Sequence, residues 1–209
     1  MTGVAQVRPY RGIGAAERVT QRRRRLLDAG LDLLGADSAE TELSVRAVCK
    51  QAGLTARYFY ESFTDKDEFV AAVFDAAVAD IAATTQAAVA TSAFSEQNRA
   101  GVANLVRTIG ADSRIGRLLF DVQLSNPVIL RKRAALGGVF AVLAGQHFES
   151  AFQREQNSRT KATVNFLVGG VGQTLSAWLA GDIDLSQDQL IDQLTAILAE
   201  LVNTELYDG

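Results

Sequence analysis

From Ala16 onward the apolar residues recur at every third or fourth position and never settle into alternation by twos. That property confines the chain to helices packed on helices. A half-buried strand hides every second side chain, whereas an amphipathic helix hides every third or fourth. The material for a core is ample: 48% of the 209 residues are apolar and 22% charged, which excludes a disordered chain. One Cys and one His exclude an intrachain disulfide framework, a Cys/His zinc cluster and a His-pair metal site. No apolar run reaches the ~18 residues of a membrane span, and the basic N-terminus lacks the apolar stretch of a secretory signal. With the lone Cys49, these features make the cytoplasm the expected location.

The net charge of −3 conceals an asymmetry. Residues 1–66 carry +3 and residues 67–209 carry −6; residues 1–25 hold seven Arg and a single acid, Glu17. A basic head on an acidic body points to two tasks, with a polyanion as one candidate partner of the head. Residues 1–15 contain Pro9 and several glycines without apolar period, and read as a flexible basic arm.

Helix one carries Leu27, Leu31 and Leu34, with Leu26, Gly30 and Leu33 alongside, and is expected to end near Gly35. Ser44 is an N-cap for a second helix with Val45, Val48, Cys49 and Ala52 inward, and Gly53 tolerates the positive φ that ends it. Thr55 is placed to cap a short third helix whose inner side is Phe59 and Phe63. Asp65 and Glu68 open a fourth, in the manner of a capping box, with Phe69, Val73, Ala77 and Ile81 as its main row and Ala90 as its expected limit. Val102, Leu105, Val106 and Ile109 mark a fifth; Asp112 caps a sixth; Asn126-Pro127 opens a seventh. The eighth is expected from Arg159 to Ala180, stopped by Gly181. The ninth opens at Ser186 with Gln189 as capping-box partner and Leu185/Leu190 as a staple. The last helix is unusually wide in apolar surface, since Ile191, Ala199 and Val202 widen the stripe of Leu190, Leu194, Ile197, Leu198 and Leu201. Gly169, Gly170, Gly172 and Ser176 leave room on helix eight for a close neighbour. Both features suggest a second subunit.

The segment Leu43–Glu68 is the most informative stretch. Its Ser44, Ala52-Gly53-Leu54 turn, Phe59-Tyr60 pair, Phe63 and Lys66-Asp67-Glu68 resemble the helix-turn-helix of tetracycline-repressor (TetR) family regulators. The likeness, with helix one included, covers about a fifth of the chain. It implies an all-α protein: a three-helix DNA-binding domain over residues 16–65 and a six-helix effector-binding and dimerisation domain over residues 66–209. It also implies a homodimer joined through helices eight and nine, bound to a palindromic operator on double-stranded DNA and released by a small, mostly apolar effector. Repression is the family's usual mode. Arg46 occupies a position from which the family often reaches a base; Ser44, Tyr60 and Lys66 occupy phosphate-contacting positions. Arg57 stands where the family often has a small residue, so no base preference carries over.

The residues themselves point the same way. With Phe59 and Phe63 inward, Ala56, Arg57, Tyr58 and Tyr60 face out, beside Thr55. An outward Arg57 offers two donors to guanine, and Tyr58 a contact to a thymine methyl or the backbone. One or two of Arg22–Arg25 are placed to touch phosphates. In the arm, Arg8 and Arg11 suit a minor groove or diffuse attraction. For an effector pocket the candidates are Phe120, Phe140, Phe166 and His147, with Gln123, Asn165 and Gln173 as polar anchors. Asn165 and Gln173, eight apart, share a face. No catalytic residue, metal ligand or cofactor is expected. His147 is the sole imidazole and has no nucleophile motif, and Gly169–Gly172 lacks the Lys-Ser/Thr of a phosphate loop. The rival readings are a helical ligand carrier or small enzyme retaining such a head, and a membrane-surface protein. The Ser44/Tyr60/Lys66 pattern favours DNA over a membrane.

Overall fold

The structure, a computed structural model, describes residues 14–36, 43–138 and 157–200. The elements among them are helical: α1 (Ala15–Leu34), α2 (Val45–Ala52), α3 (Ala56–Tyr60), α4 (Lys66–Ala90), a 3-10 turn (Phe94–Glu96), α5 (Gln97–Ala111), α6 (Ser113–Phe120), α7 (127–138), α8 (Ser158–Ala180) and α9 (Gln187–Glu200). The arm with Arg8 and Arg11, and the candidates Phe140 and His147, lie outside the described residues.

Local chemistry sets most of the ends. Ser44 Oγ accepts from Ala47 N at 3.2 Å, and Asp65 Oδ1 from Glu68 N at 2.8 Å. Asn126 Oδ1 accepts from Val128 N at 2.9 Å, and Asn157 Oδ1 from Thr160 N at 2.9 Å. The α9 capping box closes in both directions: Ser186 N donates to Gln189 Oε1 at 2.9 Å and Gln189 N to Ser186 Oγ at 3.2 Å. At α4 the box is altered. Glu68 reaches past Asp65 to accept from Thr64 N (2.7 Å) and Thr64 Oγ1 (2.6 Å), bonds that hold its carboxyl below the usual range. Thr55 sits at the N-cap of α3 but makes no side-chain cap bond.

The α2–α3 turn is a complete left-handed cap. Gly53 has φ 62°, Leu54 N donates to Cys49 O at 2.9 Å and Gly53 N to Lys50 O at 3.2 Å. Gly181 ends α8 in the same region, φ 83°.

Two cores result. The first joins Leu26, Ala29 and Leu34 of α1 to Val48, Cys49 and Ala52 of α2, to Phe59 and Phe63, and to Phe69, Val70, Val73 and Phe74 of α4. It continues without a break to Leu118 and Leu119 of α6 and Val128 and Ile129 of α7. On α1 the deepest residue is Leu26, fully buried, rather than Leu27. The second core packs Ala103, Val106 and Ile109 of α5 against Leu175 of α8 and Leu190, Ile191 and Leu194 of α9. Ile191 belongs to this chain's own core, whereas Ile197 is 44% exposed.

Polar bridges lock the α1/α6 junction. Arg114 reaches Asp32 of α1 with Nη1, and Asp112 with Nη2 (2.5 Å) and Nε (2.9 Å). Asp32 in turn accepts from Gln51 Nε2 of α2 at 2.9 Å. The Arg114 bonds pull the Asp112 carboxyl below its usual range, although its partial burial works the other way. The same bonds raise the Arg114 guanidinium.

Candidate nucleic-acid interface and interior cavity

The outer face of the head is set by a ring cluster beneath it. Phe59 lies 5.5 Å from Phe63 and 5.2 Å from Phe69, centroid to centroid, and Phe63 lies 5.0 Å from Phe69. With Phe59 anchored, α3 has no freedom to rotate, and Thr55, Ala56, Arg57 and Tyr60 are presented to solvent. Tyr60 is 61% exposed and makes an edge contact with Phe59. Ser44, Arg46 and Lys66 are exposed on the same module. Tyr58 is half-buried, because the Arg22 guanidinium packs over its ring at 4.4 Å.

The arginine run of α1 has mostly internal duties. Arg23 covers the Phe63 ring at 4.4 Å and donates from Nη1 to Ser62 O at 3.0 Å. Arg25 Nη2 donates to Ala52 O at 2.5 Å, at the C-terminal end of α2. Arg22 lies 4.0 Å from Glu61. Arg24 is exposed. Thus Arg22, Arg23 and Arg25 help to hold α2 and α3 against α1. Guanidinium groups are the natural donors for carbonyl oxygens left open at a helix end.

In the body, a cavity of about 530 Å³ lies among α4, α5, α6, α7 and α8. Its wall is mainly apolar, with Val78, Ile81, Leu105, Leu119, Phe120, Leu136 and Val168. Of the residues read from sequence, Phe120, Asn165 and Gln173 line it, the last two from one face of α8. Gln123 lines an adjoining, smaller cavity of about 280 Å³ that shares Val122 and Ser176 with the first. Phe166 lines neither and is 71% exposed. It follows Asn165 by one residue, about 100° further round α8, at the margin of the cavity-facing side.

Arg133 is a cavity-wall residue that the sequence did not single out. Its guanidinium donates to Leu118 O, Asp121 O and Arg117 O at 2.6–3.1 Å, closing the C-terminal end of α6. Burial pushes it below the usual arginine range. Nothing in Arg131-Lys132-Arg133 marks which of the three turns inward. Among the described residues no cluster of three potential ligands could hold a metal, and no helix is long and apolar enough to cross a membrane.

No protein-family model matches the sequence, and no curated protein does. Solved structures do match in shape. A TetR-family regulator from Syntrophomonas wolfei superposes with TM-score 0.72 at 13% identity over 88% of this chain and 95% of that one. A TetR-family regulator from Streptomyces coelicolor gives 0.68 at 17% identity over 90% and 84%. The regulator FadR from Bacillus subtilis, in complex with stearoyl-CoA, gives 0.64 at 14% identity over 86% and 97%. The fold of this chain is that of the TetR-family transcriptional regulators: an all-α helix-turn-helix domain on a helical bundle.

Proposed function

We propose that the chain is a TetR-family, ligand-responsive transcriptional regulator, a repressor that binds a palindromic operator as a homodimer. The observation that carries this reading is the anchored α3, which turns Thr55, Ala56, Arg57 and Tyr60 outward together with Ser44, Arg46 and Lys66. A helix so held fits the major groove, with Arg57 toward base edges and Ser44, Tyr60 and Lys66 toward phosphates. Tyr58, half-covered by Arg22, flanks that contact.

The dimer reading draws on α8 and α9. Phe166 and Ile197 stand in solvent, and a Cβ added at Gly170 would meet nothing within 4 Å among the described residues. These are the features of a helix face open to another helix. The effector reading draws on the cavity, whose size and apolar wall suit a small ligand. The stearoyl-CoA complex of the Bacillus subtilis relative supports a ligand role for the body. Helix α4 begins at Lys66 and lines the cavity with Val78 and Ile81, so a ligand that prefers one tilt of α4 shifts the spacing of paired heads.

Selection of bound fragments from random duplex DNA tests the reading, with a palindrome of two half-sites as the expected result. On the selected operator, Arg57→Ala costs about 1–3 kcal/mol and relaxes preference at one position per half-site. Lys66→Ala weakens all sequences alike and reduces the salt slope by about 1. Recovery of no enriched duplex would overturn the assignment, and a monomer at micromolar concentration in sedimentation would remove the dimer.

A further inference from the structure

Arg57 stands well out on the recognition face, its side chain 83% accessible. An unrestrained arginine in that position would serve phosphates as readily as bases. It is not unrestrained. Its Nε–H donates to Glu61 Oε1 at 2.9 Å, one helical turn on. The other carboxylate oxygen, Oε2, lies 4.0 Å from Nη2 of Arg22, a residue of α1 that is itself seated on the Tyr58 ring at 4.4 Å. Glu61 therefore joins the recognition arginine to a second, fixed helix.

A carboxylate is poorly placed here for affinity. It lies on a face that must approach phosphates, and it follows the C-terminal end of α3, where carbonyl oxygens already point. What it supplies is orientation. A guanidinium is planar, so occupying Nε fixes the plane and leaves the two terminal Nη groups facing outward. That outward end is the fork that matches O6 and N7 of guanine. The same bond competes with any phosphate that would draw Arg57 aside.

We propose, on the DNA-binding reading above, that Glu61 is a positioning residue that makes Arg57 specific for guanine and withholds it from the phosphate backbone.

The test uses the full chain and the operator recovered from random duplexes. Affinities are measured for that operator, for its single-base variants and for an unrelated duplex, across a salt series. The proteins are the parent, Arg57→Ala, Glu61→Gln, Glu61→Asp and the Arg57→Ala/Glu61→Gln double variant. Arg57→Ala is expected to lose about tenfold or more of guanine preference at one position per half-site. Glu61→Gln is expected to lose most of that preference at the same position while binding the unrelated duplex more tightly. Its salt slope steepens by about 0.9, the mark of one added phosphate contact. Glu61→Asp keeps the charge but shortens the reach, so it relaxes the base preference without the gain on unrelated DNA. In the Arg57→Ala background, Glu61→Gln alters no base preference. A purely structural Glu61 would instead weaken all duplexes together. The proposal is overturned if Glu61→Gln keeps the guanine preference that Arg57→Ala loses, or if its effect on base preference survives in the double variant. If Arg57→Ala relaxes no position, Arg57 reads no base and the proposal falls while DNA binding stands. If the parent binds no duplex, both fall.

Discussion

In the head, Phe59, Phe63 and Phe69 lie ring against ring and are at most 2% exposed, while in the body Phe120 borders a cavity of about 530 Å³ and Phe166 is 71% exposed. One pair of glycines shows the same difference: a Cβ on Gly30 would come within 2.5 Å of Val73 and 2.6 Å of Phe69, whereas one on Gly170 would touch nothing within 4 Å among the described residues. The head is tightly packed, and its core runs on through α4 into α6 and α7; a helix held in this way keeps its outward side chains at fixed positions. The body leaves space and apolar surface uncommitted. Those are the places where a ligand or second subunit adds stability by binding the folded state alone.

Substitutions sharpen or break this contrast. Phe59→Ala removes the hub of the ring cluster and should cost about 3–5 kcal/mol in chemical denaturation. Phe120→Ala, at the cavity wall, should cost nearer 1 kcal/mol. Equal losses would show the head and body to be packed alike. Gly30→Ala forces α1 off α4 and should cost about 1–3 kcal/mol. Gly170→Ala meets no clash among the described residues, so it should leave the folded monomer unharmed or gain up to ~1 kcal/mol of helix propensity. If α8 is the dimer face, the same change weakens self-association in sedimentation; an unchanged dimer would move the interface elsewhere.

The junction between the two regions gives the smallest expected effect and a pH signature. Arg114 holds the Asp112 carboxyl low, so the bond's contribution is complete above the unfolded aspartate value and is lost as pH falls through the lower folded one. Asp112→Asn retains an N-cap side chain but removes the charge. It should melt below the parent at neutral pH, and the gap should begin to narrow below about pH 4 and close once pH has fallen through the lower folded value. A gap that persists unchanged into stronger acid would show that charge pairing at the junction contributes nothing.

Much of this molecule was legible before its structure. Ser44, Asp65, Asn126 and Ser186 cap the helices they were expected to cap, and Gly53 and Gly181 stop theirs in the left-handed region. Those outcomes depend on groups within four residues of each other, where stereochemistry leaves few choices. Ala56, Arg57 and Tyr60 face out as expected for the same reason, because Phe59 and Phe63 fix the phase of α3; Tyr58, expected outward with them, is instead half-buried beneath Arg22. The internal contacts of Arg22, Arg23 and Arg25 were not legible, since one basic run serves a solvated face and a helix-to-helix clamp equally well. Nor was Phe166, whose apolar character concealed its exposure.

Periodicity, capping and turn chemistry by themselves determined an all-α chain, the ends of most of its helices and most of the residues that α3 presents to solvent. They are short-range properties, and the order of the residues contains them whole. Only tertiary structure decided that Arg114 would meet Asp32, that Arg133 would close α6 beside a cavity, and that Glu61 would tie Arg57 to α1. Those partners are chosen by how helices cross, and the crossing is settled by long-range packing that no local pattern encodes.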